Sequence, residues 1–218
     1  MKEVTQSAAI HVAYHPEEEV LKCVEAARLC YRSVSGGPGA DERLLKSCIA
    51  RGHGSVLEHG HVSLRIVTNR GVSHEIVRHR IASYSQESQR YVAYDKERFG
   101  GQITFVTPTY MDLDTDEGRA LYAEWHRACK DAESSYMALR SQGVRPETAR
   151  DVLNNATKTE LVMTTNFREW RHFFELRCSR EAHPQMRELA CKMLGLLAGM
   201  TPVVFDDLKD YLKEEFVR

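Results

Sequence analysis

Between residues 17 and 32, apolar side chains recur at helical intervals. Val20, Val24, Ala27 and Tyr31 share one face, and Glu17 to Glu19 stand at the N-terminal end, where the helix macrodipole favours negative charge. The spacing predicts a surface helix. DERLLKSCIARG (41–52) reads as a second helix closed by Gly52. From residue 60 to 70 the period changes to two, with Val62, Leu64 and Ile66 on one side and Ser63 and Arg65 on the other, which predicts a half-buried strand. GVSHEIVRHR (71–80) returns to helical spacing. QITFV (102–106) predicts a short strand, and residues 116–143 a long helix ended by Gly143. TKTELVMTT (157–165) is β-rich and precedes a helix beginning at Asn166. A helix over 184–198 follows, then another opened by Thr201 and Pro202, a cap residue with proline at the first helical position. These elements predict an α/β chain of the α+β type, with a central mixed or antiparallel sheet flanked by helices. At 218 residues and 42% hydrophobic content, residues 1–218 read as a single domain.

Charge excludes some functions. The 30 basic and 31 acidic residues leave a formal net charge of -1, so no global field draws the chain to nucleic acid or anionic lipid. Anion recognition must come from local clusters. The opening MKEVTQSAAIHVAYHPEEEV has no apolar targeting core, and no stretch approaches the roughly 20 apolar residues of a membrane span. The expectation is a soluble, cytoplasmic protein without a membrane partner. Cys23, Cys30, Cys48, Cys129, Cys178 and Cys191 form no CxxC pair and stand mostly in helix-like context, which predicts buried thiols rather than disulfides.

Five histidines (His53, His59, His61, His74 and His79), with Glu58 and Glu75, raise a metal reading, and HEIVRH approaches the zincin motif HExxH. It misses by one residue. His74 and His79 are five apart and diverge by about 140° on a helix. Arg78 occupies the ligand position instead, and a guanidinium cannot bind a metal. No metal is expected.

RHRIASYSQESQRY (78–91) gathers Arg78, Arg80 and Arg90 with little offsetting acid, beside Ser83, Ser85, Gln86, Ser88 and Gln89. A solvated surface turn would carry such residues. So would an anion site, since the planar fork of arginine suits phosphate and carboxylate. In NFREWRHFFELRCSR (166–180), Trp170 and Phe173 form an apolar stripe, and Arg177 falls within about 20° of Asn166 on it. An arginine there needs a partner, either a buried acid or a ligand. Asn166 and Glu169 have the spacing of a capping box, and a helix N-terminus also suits an anion.

Arg78-His79-Arg80 followed by Ser88 resembles the RHRx7S signature of the flavin-dependent thymidylate synthases. GHGSVLEH (52–59), TARDVL (148–153) and TTNFREWRHFFELR (164–177) resemble the other motifs of that family, in order, across roughly residues 53 to 187. The resemblance implies conversion of dUMP to dTMP, with 5,10-methylenetetrahydrofolate as carbon donor, FAD as redox carrier and NADPH as reductant. It also implies a homotetramer with active sites shared between subunits. By the same resemblance His53, Ser55, Glu58, Arg78, His79, Arg80, Ile81, Gln86, Asn166, Arg168 and His172 match flavin positions. Glu75, Arg78, Gln86, Glu87, Ser88, Gln89, Arg90, Arg150 and Arg177 match dUMP positions. Arg177 is implied to stabilise charge on the uracil ring, and Ser88 to bind and activate substrate, since no sequence-adjacent base would make it a nucleophile. Glu75 stands where many relatives carry glutamine, and Asn154 where many carry proline. The rival reading is a noncatalytic nucleotide- or RNA-binding module built on the basic cluster, with steep salt dependence and no chromophore.

Overall fold

Two short strands that the pattern did not predict, β1 (Lys2–Val4) and β2 (Ser7–Ile10), open the chain in this computed structural model, which describes residues 1–34 and 36–213. The predicted helices follow as α1 (Pro16–Tyr31) and α2 (Ala40–Ala50). Gly52 stands just beyond α2 at φ +73°, a left-handed turn that glycine adopts without strain. A 3-10 turn over Gly54–Glu58 leads into β3 (His61–Asn69), where Val62, Leu64 and Ile66 are buried as their alternation requires. Helix α3 (Arg70–Ile76) begins where the Asn69 side chain accepts the Val72 N–H.

The helical pattern of 71–80 is realised only to Ile76. Beyond it the Tyr84 hydroxyl lies 3.0 Å from the Ile76 carbonyl and 2.6 Å from that of His79, closing the helix end. Tyr84 belongs to an unpredicted strand, β4 (Ser83–Gln86), inside the arginine-rich segment. Then come β5 (Thr104–Val106), α4 (Asp116–Ser141), α5 (Pro146–Ala149), β6 (Lys158–Asn166), α6 (Phe167–Arg177), α7 (Pro184–Met200), α8 (Pro202–Phe205) and α9 (Asp210–Lys213).

The four-stranded sheet has the order β2-β3-β6-β4, and each pairing in it is antiparallel. The parallel element is separate: β1 pairs with β5, Glu3 opposite Phe105. In the central pair Leu64 faces Met163 and Ile66 faces Leu161. The main core lies between this sheet and α1, α2, α6 and α7. Trp170, Phe173 and Phe174 of α6 are fully buried in it, and the Trp170 indole N–H donates to the Val62 carbonyl at 3.2 Å. Each such side chain contributes about 1.5–3 kcal/mol by burial. A second cluster of Tyr94, Ile103, Phe105, Cys129 and Tyr136 packs α4 against β5.

Five cysteines are buried as expected, whereas Cys30, near the end of α1, is exposed. Burial pushes the Cys23 and Cys129 thiols up to about 11, far from the thiolate form that nucleophilic chemistry requires. Among the described residues no helix is long and apolar enough to cross a membrane.

Candidate active site

The junction of β6 and α6 forms one wall of a cleft of about 640 Å³, contributing Asn166, Arg168, Glu169 and His172. The Gly54–Glu58 turn supplies Gly54, Leu57 and Glu58, and Ile81, 68% exposed, stands at the edge. Arg168 Nη1 donates to Glu58 Oε1 at 2.5 Å, joining the two walls. A Cβ at Gly54 would stand 3.1 Å from Arg168 Nε, so glycine allows the close approach. The Asn166 side chain accepts the Glu169 N–H at 2.9 Å and caps α6. The reciprocal half of the expected capping box is not made. Glu169 turns its carboxylate into the protein instead, to His79.

That carboxylate begins a chain of hydrogen bonds. Glu169 Oε1 lies 3.2 Å from His79 Nδ1, and Arg177 Nε donates to His79 Nε2 at 3.1 Å. Arg177 Nη1 donates to Glu75 Oε2 at 3.0 Å. Arginine has no acceptor, so His79 Nε2 must offer its lone pair, and the ring proton sits on Nδ1 facing Glu169. Burial holds His79 below the ordinary histidine range; the Glu169 hydrogen bond opposes this and the Arg177 charge adds to it. Neutral imidazole matches the hydrogen-bond directions. The chain starts on the wall of the first cleft and ends at Glu75, which lines another of about 420 Å³ with Tyr110, Trp125, Asn155, His183 and Gln185. The partner that Arg177 required is therefore Glu75, with His79 beside it.

Among the described residues His79, Glu169 and His172 bring three metal-ligating atoms within 4.8 Å of one another. Metal binding at Nδ1 would move the ring proton to Nε2, where it would meet the Arg177 N–H. Hydrogen bonding thus disfavours a cation here.

A third cleft, of about 270 Å³, brings Gln89 and Arg150 together with Arg70, His74, Asn154 and Asn155, and shares Asn155 with the second. In sequence Arg70 reads only as the end of a strand and His74 only as a candidate metal ligand; the fold brings both to this cleft. Burial, aided by nearby Arg150, lowers the Arg70 guanidinium from its ordinary value, yet it stays charged. Asp151 also lines this cleft, and two half-buried arginines against one carboxylate leave positive charge that suits an anion.

The remaining candidates divide. Gln86 donates from Nε2 toward Ser73 (3.0 Å) and Thr159 (3.2 Å), bracing β4 against the sheet. Glu87 accepts from the Tyr94 hydroxyl at 2.7 Å and from Lys158 at 3.0 Å. Ser88 Oγ accepts the Arg90 N–H at 3.2 Å, and the Arg90 guanidinium lies over the Tyr91 ring. His53 Nδ1 is 2.8 Å from the Tyr31 hydroxyl. Ser55, Arg78 and Arg80 are exposed.

A family profile described as Thy1, thymidylate synthase complementing protein, matches residues 12–203. The chain belongs to the Thy1 family. A protein from Geobacter sulfurreducens named flavin-dependent thymidylate synthase is 42% identical, covering 84% of this chain and 78% of its own length. One of the same name from Mycobacterium avium is 38% identical, covering 84% and 77%. Among solved structures, a UMP/dUMP methylase, PolB from Streptomyces cacaoi, superposes with a TM-score of 0.80 over 96% of this chain and 97% of its own, at 22% identity. That likeness establishes a shared mixed α/β fold for this Thy1 member.

Proposed function

We infer that this chain is a flavin-dependent thymidylate synthase, methylating dUMP to dTMP with FAD. The reading extends to 5,10-methylenetetrahydrofolate as carbon donor and NADPH as reductant. One observation carries it: the α6 helix that presents Asn166, Arg168 and His172 to the 640 Å³ cleft ends in Arg177, held by Glu75 at the wall of the next.

The donor set fits a flavin nucleotide. Arg168 offers a cation, Asn166 and His172 offer polar contacts, and Leu57, Ile49 and Ile81 offer apolar surface. With His53, Ser55, Glu58, Arg78, His79 and Arg80, these residues would hold FAD. When bound, the flavin supplies the hydride chemistry that no side chain can perform. Arg150 and Arg70 would bind the dUMP phosphate, with Gln89 beside them and Ser88 and Arg90 on the adjoining turn. Arg177 would stabilise negative charge on the uracil ring, its guanidinium held in place by His79 and Glu75. Gln86 and Glu87 would support the nucleotide site from the sheet side, where they are hydrogen-bonded.

The proposal includes a single domain over 1–218, a homotetramer and a cytoplasmic location. Ile81 at the cleft edge and the exposed Arg78 and Arg80 just before it in sequence offer surface a second chain would complete. Cysteines that form no disulfide suit a reducing compartment. The test is an absorbance spectrum of the purified protein with added FAD, followed by dTMP assay. A yellow protein whose flavin is bleached by NADPH, and which forms dTMP from dUMP and the folate, supports the reading. Protein that refuses FAD overturns it.

A further inference from the structure

Glu169 is buried, the residue 7% exposed, and neither its helix nor the capping arrangement at Asn166 uses its side chain. A buried carboxylate needs a donor. The donor within reach is His79 Nδ1–H at 3.2 Å. Other contacts leave that imidazole little freedom. Its ring packs on Phe173 with centroids 4.7 Å apart and meets the His172 ring at 5.9 Å. The Tyr84 hydroxyl lies 2.6 Å from its carbonyl. With orientation set, the position of the ring proton is what remains to be decided. On Nδ1, the proton finds Glu169 and leaves Nε2 to receive Arg177 Nε–H. On Nε2, it would confront Arg177 donor to donor, and Glu169 would lose its partner.

We propose that Glu169 is a positioning residue for Arg177, acting through His79 by holding its proton on Nδ1. The inference rests on the function proposed above for Arg177. Three of the five guanidinium N–H donors are engaged, one by His79 and two by Glu75. The other two are left, in a fixed orientation, for a ligand. Removing Glu169 frees the histidine ring and releases the Nε anchor, so Arg177 keeps its charge and loses its aim. The charged and titratable groups gathered around His79 are Glu169, His172 and Arg177 from α6 and Tyr84 from β4, with Glu75 of α3 reached through Arg177.

The test compares wild-type holoenzyme with Glu169→Ala and Glu169→Gln. In Glu169→Ala, kcat should fall about tenfold or more, the scale set by carboxylates that orient metal-bound histidines, while the bound-flavin spectrum is retained. Glu169→Gln should recover most of that loss, because an amide oxygen still accepts Nδ1–H. Its acid limb of kcat should also move to lower pH, since the carboxylate that favours protonated His79 is gone. Unchanged kcat in Glu169→Ala, or equal losses in both variants, overturns the proposal. Histidine-selective ¹⁵N NMR, with His79 assigned from a His79→Gln sample, reads the tautomer without reference to activity. An Nε2–H signature overturns the proposal even if turnover is normal. A wild type without turnover but with Nδ1–H on His79 would sink the thymidylate synthase reading and leave the hydrogen-bond arrangement standing.

Discussion

Arg177 is tied to Glu75 twice, by Nη1 to the carboxylate at 3.0 Å and by Nη2 to the backbone carbonyl at 3.3 Å. This fastens the end of α6 to α3 across 102 residues of sequence. Arg177→Ala should lower kcat by about 10²- to 10³-fold, the usual cost of deleting one preorganised charge-stabilising donor. Flavin absorbance should survive, because the cleft walls at Asn166 and Arg168 are untouched. Steady-state kinetics beside a spectrum check this, and normal turnover would remove Arg177 from the chemistry.

Acid should weaken the protein through His79. Burial lowers its folded-state pKa, so the unfolded chain takes up the proton first. The stability it contributes is whole above about pH 6.5 and declines as pH falls through that value toward the lower folded-state pKa. Thermal unfolding of wild type and His79→Gln from about pH 7.5 to about pH 5 should show the steeper acid loss in wild type. Parallel curves would contradict the assignment.

Asn166 combines a cap with a place on the cleft wall, and two substitutions separate the tasks. Asn166→Ala removes the acceptor of the Glu169 N–H and should cost about 1 kcal/mol with weaker flavin binding. Asn166→Asp keeps the cap, so Tm should hold while flavin affinity still falls. If affinity follows Tm in both variants, Asn166 is only a cap.

Gly60 lets the Phe167 ring and the Cys23 thiol pack directly against the backbone ahead of β3. A Cβ there would stand 2.4 Å from Phe167 Cε2 and 2.9 Å from Cys23 Sγ, both in the core. Gly60→Ala should destabilise by about 1–3 kcal/mol, as overpacked cores do. Denaturant unfolding measures this, and Phe167→Leu in the same background should recover part. An unchanged midpoint would show that Phe167 moves aside freely.

The long periodic elements were legible in the sequence because their own side chains decide them: α1, α4, β3 and β6 stand within one or two residues of the expected bounds. Strands β1, β2 and β4 were not. Each is three or four residues long and exists through its pairing partner, which local pattern cannot express. The helical reading through Arg80 failed for the same reason, since His79 leaves the helix to meet Glu169 and Arg177. The motif residues around the first cleft were readable by resemblance. Glu169 was not, because its spacing from Asn166 already had a local explanation in the capping box. Arg70 becomes visible only when the fold brings Arg150 beside it.

Strand β4 has one further consequence. Ser83 pairs with Thr164 and Gln86 with Leu161, so the ends of RHRIASYSQESQRY are spaced by a pleated ruler of about 3.4 Å per residue. Tyr84 and Gln86 point inward while Ser83 and Ser85 face out. Adding or deleting a single residue there would invert those faces and change the gap between Arg78 and Arg90 in one stroke. The length of this stretch is therefore constrained independently of the side chains it carries.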